Sequence, residues 1–266
     1  MAIGSPGELA SSLSVTELLA PFRDDPGGTG VFTDFDGTLA AIVDDPAAAL
    51  PLPGVADALA ALAERYGRVG VISGRPASFL AEHLGGRGVF LSGLYGLEFV
   101  EDEGGGIEAI EEAAPWREIV EEVAVAGDAA LPAGISVERK GLCLTVHHRR
   151  DPSRAPESRA WVEARAEETG LVVHPARMSF ELRPPIKRDK GTVLAEAAEG
   201  RRQVCFLGDD GGDLTAFDTL DRMAEAGATV LRVGVDSPEA PEELLDRADI
   251  VVEGPEGSLR ILRGLL

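Results

Sequence analysis

The segment Thr29-Gly30-Val31-Phe32-Thr33-Asp34-Phe35-Asp36-Gly37-Thr38 decides how the rest of the chain is read. Its first five residues are uncharged and apolar or β-prone, the pattern of a strand buried on both faces. The run stops at two aspartates spaced two residues apart, followed by glycine. In open α/β sheets, sites form beyond the carboxyl ends of strands, and this is such an end. Two carboxylates placed there can project together, one attacking an electrophile while the other shuttles protons. Their mutual repulsion calls for a cation beside them, and oxygen-only ligation points to Mg²⁺. A polar turn with an Asx-type hydrogen bond and a left-handed glycine would account for the same residues without any chemistry.

Outward from this segment the chain alternates. Pro51-Leu52-Pro53-Gly54 opens a helix whose Val55, Leu59 and Leu62 share one face. Val69–Ile72 reads as a second buried strand, Pro76–Leu84 as a helix and Val89–Leu91 as a third strand. This alternation predicts a parallel sheet covered by helices. The middle differs: a helix over about 115–131, strands at Ile135–Glu138 and Leu142–His148, a charged helix near Ser153–Thr169, and two more strands before Pro184. After Pro184-Pro185 the first pattern resumes, with a helix from Asp189, a strand at Val204–Leu207, a helix from Gly212 and a strand at Ala228–Val233. A last strand at Asp249–Val252 and a terminal helix close the chain. The expected organisation is an arm over 1–28 holding one short helix, a discontinuous α/β core over 29–108 and 185–266, and an inserted α+β cap over 109–184.

Three further strand or helix ends carry polar groups. Cys205-Phe206-Leu207-Gly208-Asp209-Asp210, with Asp213 close behind, is a second buried strand running into carboxylates that can share a divalent ion with the first. Val71-Ile72-Ser73-Gly74-Arg75 offers a hydroxyl and backbone N–H groups suited to phosphoryl oxygens. Asp189-Lys190-Gly191 begins a helix, where a lysine can neutralise an anionic oxygen, although a capped helix start explains the same residues.

The net charge of −21 excludes nucleic acid and an anionic membrane as main partners, while leaving room for a small anion held by a few local cations. Among 25 basic residues only Lys140, Lys187 and Lys190 are lysine. Ammonium and guanidinium are not interchangeable, so Lys140 and Lys190 count as site candidates, Lys187 as a drifted surface position. Cys143 and Cys205 lie inside apolar runs and read as core thiols. No apolar stretch reaches membrane-spanning length and no leader pattern opens the chain, which is read as cytoplasmic. His147 and His148 are adjacent on a predicted strand, face opposite ways, and read as structural or rim residues rather than metal ligands. Trp116 and Trp161 read as packing residues, and Glu108–Glu112 as a solvated hinge or helix face. Neither a Gly-x-x-x-x-Gly-Lys-Ser/Thr loop nor a Gly-x-Ser-x-Gly elbow occurs.

In this order the four motifs resemble the haloacid dehalogenase superfamily from Thr29 onward. The resemblance implies a Rossmann-like parallel-sheet core, Asp34 as nucleophile, Asp36 as general acid and base, and Ser73 and Lys190 as phosphoryl anchors. It implies Mg²⁺ held by Asp34, Asp36, Asp209, Asp210 and Asp213. A narrower similarity, to trehalose-6-phosphate phosphatases, rests on Gly93–Glu98, on Glu138–Arg149 and on Glu181-Leu182-Arg183-Pro184. That family usually has His at the position of Tyr95, a Ser-like residue at Cys143, and Gly-Asp-Asp-x-Thr-Asp-Glu where this chain reads Gly208-Asp209-Asp210-Gly211-Gly212-Asp213-Leu214. The implied substrate contacts are Arg75, Tyr95, Gly96, Glu98, Glu138, Lys140, Arg149, Glu181 and Arg183. The implied reaction is hydrolysis of trehalose 6-phosphate by a monomer or weak oligomer. Two alternatives remain open: the same chemistry on another sugar phosphate, such as sucrose phosphate or mannosyl-phosphoglycerate, and a non-catalytic sugar-phosphate-binding regulator.

Overall fold

The computed structural model describes residues 14–43, 48–85, 88–101, 105–176 and 178–266. They divide into two compact units. The first comprises the described residues up to Ile107 together with Arg188–Leu266, and the second is Glu108–Lys187. Sequence placed these two boundaries at 108/109 and 184/185. Residues 1–13 of the expected arm lie outside the described residues; its remainder carries a helix started by a Ser14–Glu17 capping box.

The first unit runs through α1 (Val15–Asp24), β1 (Thr29–Thr33), α2 (Val55–Ala63), β2 (Arg68–Ile72), α3 (Ala77–Leu84), β3 (Phe90–Gly93) and β4 (Glu98–Val100). The second holds β5 (Glu108–Ala109), α4 (Trp116–Ala130), β6 (Ser136–Arg139), β7 (Leu144–His147), α5 (Ala155–Thr169), β8 (Val172–Ala176) and β9 (Ser179–Arg183). The chain then returns through α6 (Lys190–Ala197), β10 (Gln203–Gly208), α7 (Leu214–Glu225), β11 (Thr229–Asp236), α8 (Glu242–Arg247), β12 (Ile250–Glu253) and α9 (Gly254–Leu265).

Within the first unit the large sheet has the order β12-β11-β10-β1-β2-β3-β4, and from β12 to β3 every pairing is parallel. β1 lies between β10 and β2, with all five of its residues buried. Alternation explains why an uncharged run is needed there. Val31, Cys205 and Leu207 face a core built with α1, α2, α3 and α9, while Phe32, Val204 and Phe206 face one built with α6, α7 and α8. The antiparallel strand β4 and the helix α8 were not foreseen. Three and six residues are too few for either period to stand out.

In the second unit the antiparallel order is β6-β7-β9-β8. Leu144, Val146, Phe180 and Leu182 pack with Val120, Val123, Ala124 and Val162 of α4 and α5, and Trp116 and Trp161 pack against that core. The alternate residues Glu138, Thr145, His147 and Glu181 belong to the other face. β7 is shorter than the expected Leu142–His148 because the preceding residues form a turn. Gly141 takes φ +81°, and the Lys140 N–H donates to the Cys143 carbonyl at 2.9 Å. The acidic run from Glu108 is a two-residue strand followed by turns.

Helices α6 and α7 meet where α6 has Gly191, at which a Cβ would collide with the Thr215 carbonyl oxygen. Backbone cannot move aside as a flexible side chain can. Gly191→Ala should therefore destabilise the protein by about 1–3 kcal/mol in a denaturant melt, the cost of overpacking. An unchanged midpoint would show that the two helices separate freely.

Candidate active site

Four segments meet at the carboxyl end of the parallel sheet. β1 gives way to Asp34, whose N–H continues the ladder by donating to the Leu207 carbonyl at 2.8 Å. β2 gives way to Ser73, and β10 to Asp209. Lys190 opens α6, which Asp189 caps by accepting from the Thr192 N–H at 2.7 Å. The Lys190 ammonium is the centre of the group. It lies 3.0 Å from Asp34 Oδ1, 2.8 Å from Asp213 Oδ1 and 3.3 Å from Asp210 Oδ1, and only 2% of Lys190 is exposed.

Each aspartate is fixed by its own partners. Asp213 Oδ2 accepts from the N–H groups of Asp209 and Asp210, at 2.8 and 3.0 Å. Asp210 Oδ1 in turn accepts from Gly212 and Asp213, at 2.8 and 3.1 Å. This reciprocal capping closes the turn without the threonine and glutamate of the resembling family, so Gly212 and Leu214 leave it intact. Asp209 accepts from the hydroxyls of Thr38, at 3.0 Å, and Ser237, at 2.7 Å. Gly37 takes φ +73°, and a Cβ there would collide with the Asp209 carboxylate. Thr38 belonged to the first motif without an assigned role. Ser237 was missed altogether, since nothing local to Asp236-Ser237-Pro238 signals a partner 28 positions earlier.

Asp34, Asp209 and Asp213 each offer one oxygen within 4.8 Å of the others. Burial, reinforced by Asp213, Asp210 and Asp209, pushes Asp34 well above the ordinary carboxylate range, with Lys190 opposing. Burial and Asp210 push Asp209 up to about 6 and Asp213 up to about 7. Burial would depress Lys190, yet Asp213, Asp34 and Asp210 hold its ammonium well above its usual value. One ammonium cannot neutralise four carboxylates. An oxygen-only pocket with surplus negative charge fits a hard divalent cation such as Mg²⁺, for which Asp34, Asp209 and Asp213 are the donors brought together.

Asp36, also expected among the ligands, has its side chain held apart from that trio. Its carboxylate is gripped by Arg75 in a two-point pair, Nε to Oδ2 at 2.7 Å and Nη2 to Oδ1 at 2.6 Å, and is not among the clustered oxygens. Arg75, expected at substrate, also lies 4.8 Å from the Phe79 ring centroid. Ser73 is buried, its Oγ accepting from the Arg75 N–H at 3.1 Å. Glu98, another expected substrate contact, is buried beneath α3. Its Oε1 accepts from Ala77 N–H at 2.7 Å, giving the helix the cap that Pro76 does not. Gly96 takes φ +92° where a Cβ would strike Val193, so its place is set by the approach of α6. Leu94 and Tyr95 take φ +51° and +58°, a strained turn tied to the Ser73–Arg75 loop by Tyr95 N–H to Ser73 O at 3.0 Å and Leu94 N–H to Arg75 O at 2.9 Å.

The second unit brings together most of the other expected contacts. Lys140 Nζ lies 3.0 Å from Glu181 Oε1 and 4.0 Å from Glu138 Oε2. Arg183 pairs with Glu181 Oε2. Burial opposes ionisation of Glu181, but Lys140 and Arg183 hold its carboxyl below the ordinary range. The structure gathers Glu138, Lys140, Glu181 and Arg183, whereas Arg149 is exposed in the turn after β7.

The raised aspartates set a pH dependence. In the unfolded chain these carboxyls lose protons near pH 4 (about 3.9 for Asp), whereas the folded chain keeps those of Asp209 and Asp213 to about 6 and 7. Between those limits the folded state binds more protons, so their contribution to stability is lost as pH rises. A divalent cation replaces those protons. Added Mg²⁺ should therefore raise Tm more at about pH 8 than at about pH 5. An equal or larger rise at the lower pH would remove the cluster as the binding site.

The trehalose-phosphatase family model matches residues 32–244. A trehalose-phosphate phosphatase of Mycolicibacterium paratuberculosis is 33% identical over 250 residues, covering 85% of this chain and 63% of that protein. The chain thus spans less than two thirds of that relative's length. A structure of the C-terminal domain of a C. albicans trehalose-6-phosphate phosphatase shares 25% identity with a TM-score of 0.68, covering 94% of this chain and 96% of that one. A haloacid dehalogenase-like hydrolase from Bacteroides thetaiotaomicron, 16% identical with a TM-score of 0.59 over 90% of this chain and 99% of that one, shares the fold. On the match over residues 32–244, this chain belongs to the trehalose-phosphatase family.

Proposed function

We propose that this protein hydrolyses trehalose 6-phosphate to trehalose and phosphate through an aspartyl-phosphate on Asp34. The observation that carries the proposal is the buried cluster of Asp34, Lys190, Asp209 and Asp213 at the sheet's carboxyl end, in a chain of this family. Asp34 Oδ attacks phosphorus in line, the bond to the sugar oxygen breaks, and Asp36 delivers a proton to that oxygen. Asp36 then takes a proton from a water that attacks the phosphoryl group, and the carboxylate of Asp34 returns as phosphate leaves. Lys190, 3.0 Å from Asp34, offsets charge on the nucleophile and on the phosphoryl oxygens, and Ser73 anchors one of those oxygens. Mg²⁺ bound by Asp34, Asp209 and Asp213 would supply further charge stabilisation to the phosphoryl group. Arg75 keeps the Asp36 carboxylate in one orientation until it is needed.

The core motifs suit any phosphate monoester, so sugar selection falls to the second unit. Glu138, Lys140, Glu181 and Arg183 form the polar set available to sugar hydroxyls, with Arg149 at its margin. Glu181 is 5% exposed and paired with two cations, so truncating it would also strand buried charge. Glu138, whose side chain is 42% exposed, is the cleaner probe.

Purified protein with Mg²⁺ and a panel of sugar phosphates should release phosphate fastest from trehalose 6-phosphate. Asp34→Asn should abolish release while keeping the wild-type melt, because an amide does not attack phosphorus at a useful rate. Near-normal turnover in that variant would place the nucleophile elsewhere. Glu138→Ala should lower the ratio of kcat/KM on the disaccharide phosphate to that on para-nitrophenyl phosphate by about 1–3 kcal/mol, the cost of unmade hydrogen bonds. Equal losses on both substrates would retire the cap as the source of selectivity.

A further inference from the structure

The polar face of the second unit's sheet includes a histidine to which the proposed reaction assigns nothing. Register sets Glu138 opposite Thr145, Thr145 opposite Glu181 and Glu181 opposite His174 across the four strands. Thr145 donates its hydroxyl to Glu181 Oε1, at 3.4 Å. His147 lies two residues along β7 on the same face, opposite Ser136 and therefore diagonal to Glu138, a separation that long side chains bridge. Its Nε2 is 2.8 Å from Glu138 Oε2, a hydrogen bond in which the imidazole donates. Lys140 Nζ stands 4.0 Å from that same oxygen, so two groups converge on one side of the carboxylate. β6 is an edge strand, and a half-exposed glutamate on an edge has several rotamers to lose when it meets a ligand. The neighbouring His148 shows the contrast: it is buried with its ring against Phe180, centroids 5.4 Å apart, as strand alternation requires.

We infer that His147 is a positioning residue for substrate selection: its hydrogen bond to Glu138 holds that carboxylate in the rotamer that receives a sugar hydroxyl. The inference rests on the proposed sugar-phosphate substrate. Its rival is a surface pair that contributes little to anything.

The test is a set of His147→Ala, His147→Gln and Glu138→Ala variants, with the Glu138→Ala/His147→Ala double variant, each assayed on trehalose 6-phosphate and on para-nitrophenyl phosphate with Mg²⁺. A glutamine amide replaces the imidazole donor, whereas alanine does not. His147→Ala should lower the ratio of kcat/KM between the two substrates about tenfold, chiefly through KM for the disaccharide phosphate. His147→Gln should restore most of the loss, and the double variant should be no worse than Glu138→Ala alone. An unchanged ratio in His147→Ala, failure of glutamine to restore it, or fully additive losses in the double variant would each overturn the positioning role. Wild-type protein active on para-nitrophenyl phosphate but not on any disaccharide phosphate would overturn the substrate class itself, and the role of His147 with it, before any variant is compared.

Discussion

The buried ammonium of Lys190 is the interaction on which the arrangement depends. Three aspartates from two separate segments face it within 3.3 Å, and two of them sit in a pocket that water hardly reaches. Without that cation their carboxylates could not share the space while ionised. Even with it, burial and then the neighbouring carboxylates hold Asp34, Asp209 and Asp213 above the ordinary carboxylate range. The burial of Asp34 and the crowding of carboxylates around it are thus parts of one electrostatic problem. The sheet solves the geometric half of it. Parallel order brings the ends of β1, β2 and β10 to one edge, and both faces of those strands are covered, so the side chains there are rigidly placed.

The second unit solves a different problem with the same alternation. One face of its sheet is apolar and packs on α4 and α5, and the other collects glutamates, lysine, arginine and histidine. A polyhydroxylated ligand needs directional partners, and a site built from them discriminates against ligands that lack hydroxyls. The buried carboxylate cluster and the polar sheet face thus lie in separate units, each specified by its own strand pattern.

Much of this was legible in the sequence because it is local. A buried strand ending in carboxylates is visible at Asp34 and Asp209, and a helix start at Lys190, so the core cluster could be read before the fold was known. What was not legible is long-range pairing. Arg75 lies 39 positions from Asp36, and nothing in either motif announces that the two grip each other. Glu98 also accepts from the start of α3, a partner that only the tertiary structure brings to it. Ser237 completes the support of Asp209 from a turn with no signature of its own. In the second unit, alternation put Glu138 and Lys140 on one side, yet the turn at Gly141 and the burial of Glu181 beneath two cations depend on strand register.

Covalent participation of Asp34 is the central claim, and it can be read directly. Para-nitrophenyl phosphate has a leaving group that needs no proton, so Asp36→Asn should permit the first step and stall the second. Acid quench of that variant with substrate and Mg²⁺, followed by peptide mass mapping, should find a phosphoryl group on Asp34. Phosphorylation at another residue, or release of phosphate with the Asp34 peptide unmodified at every time point, would contradict it.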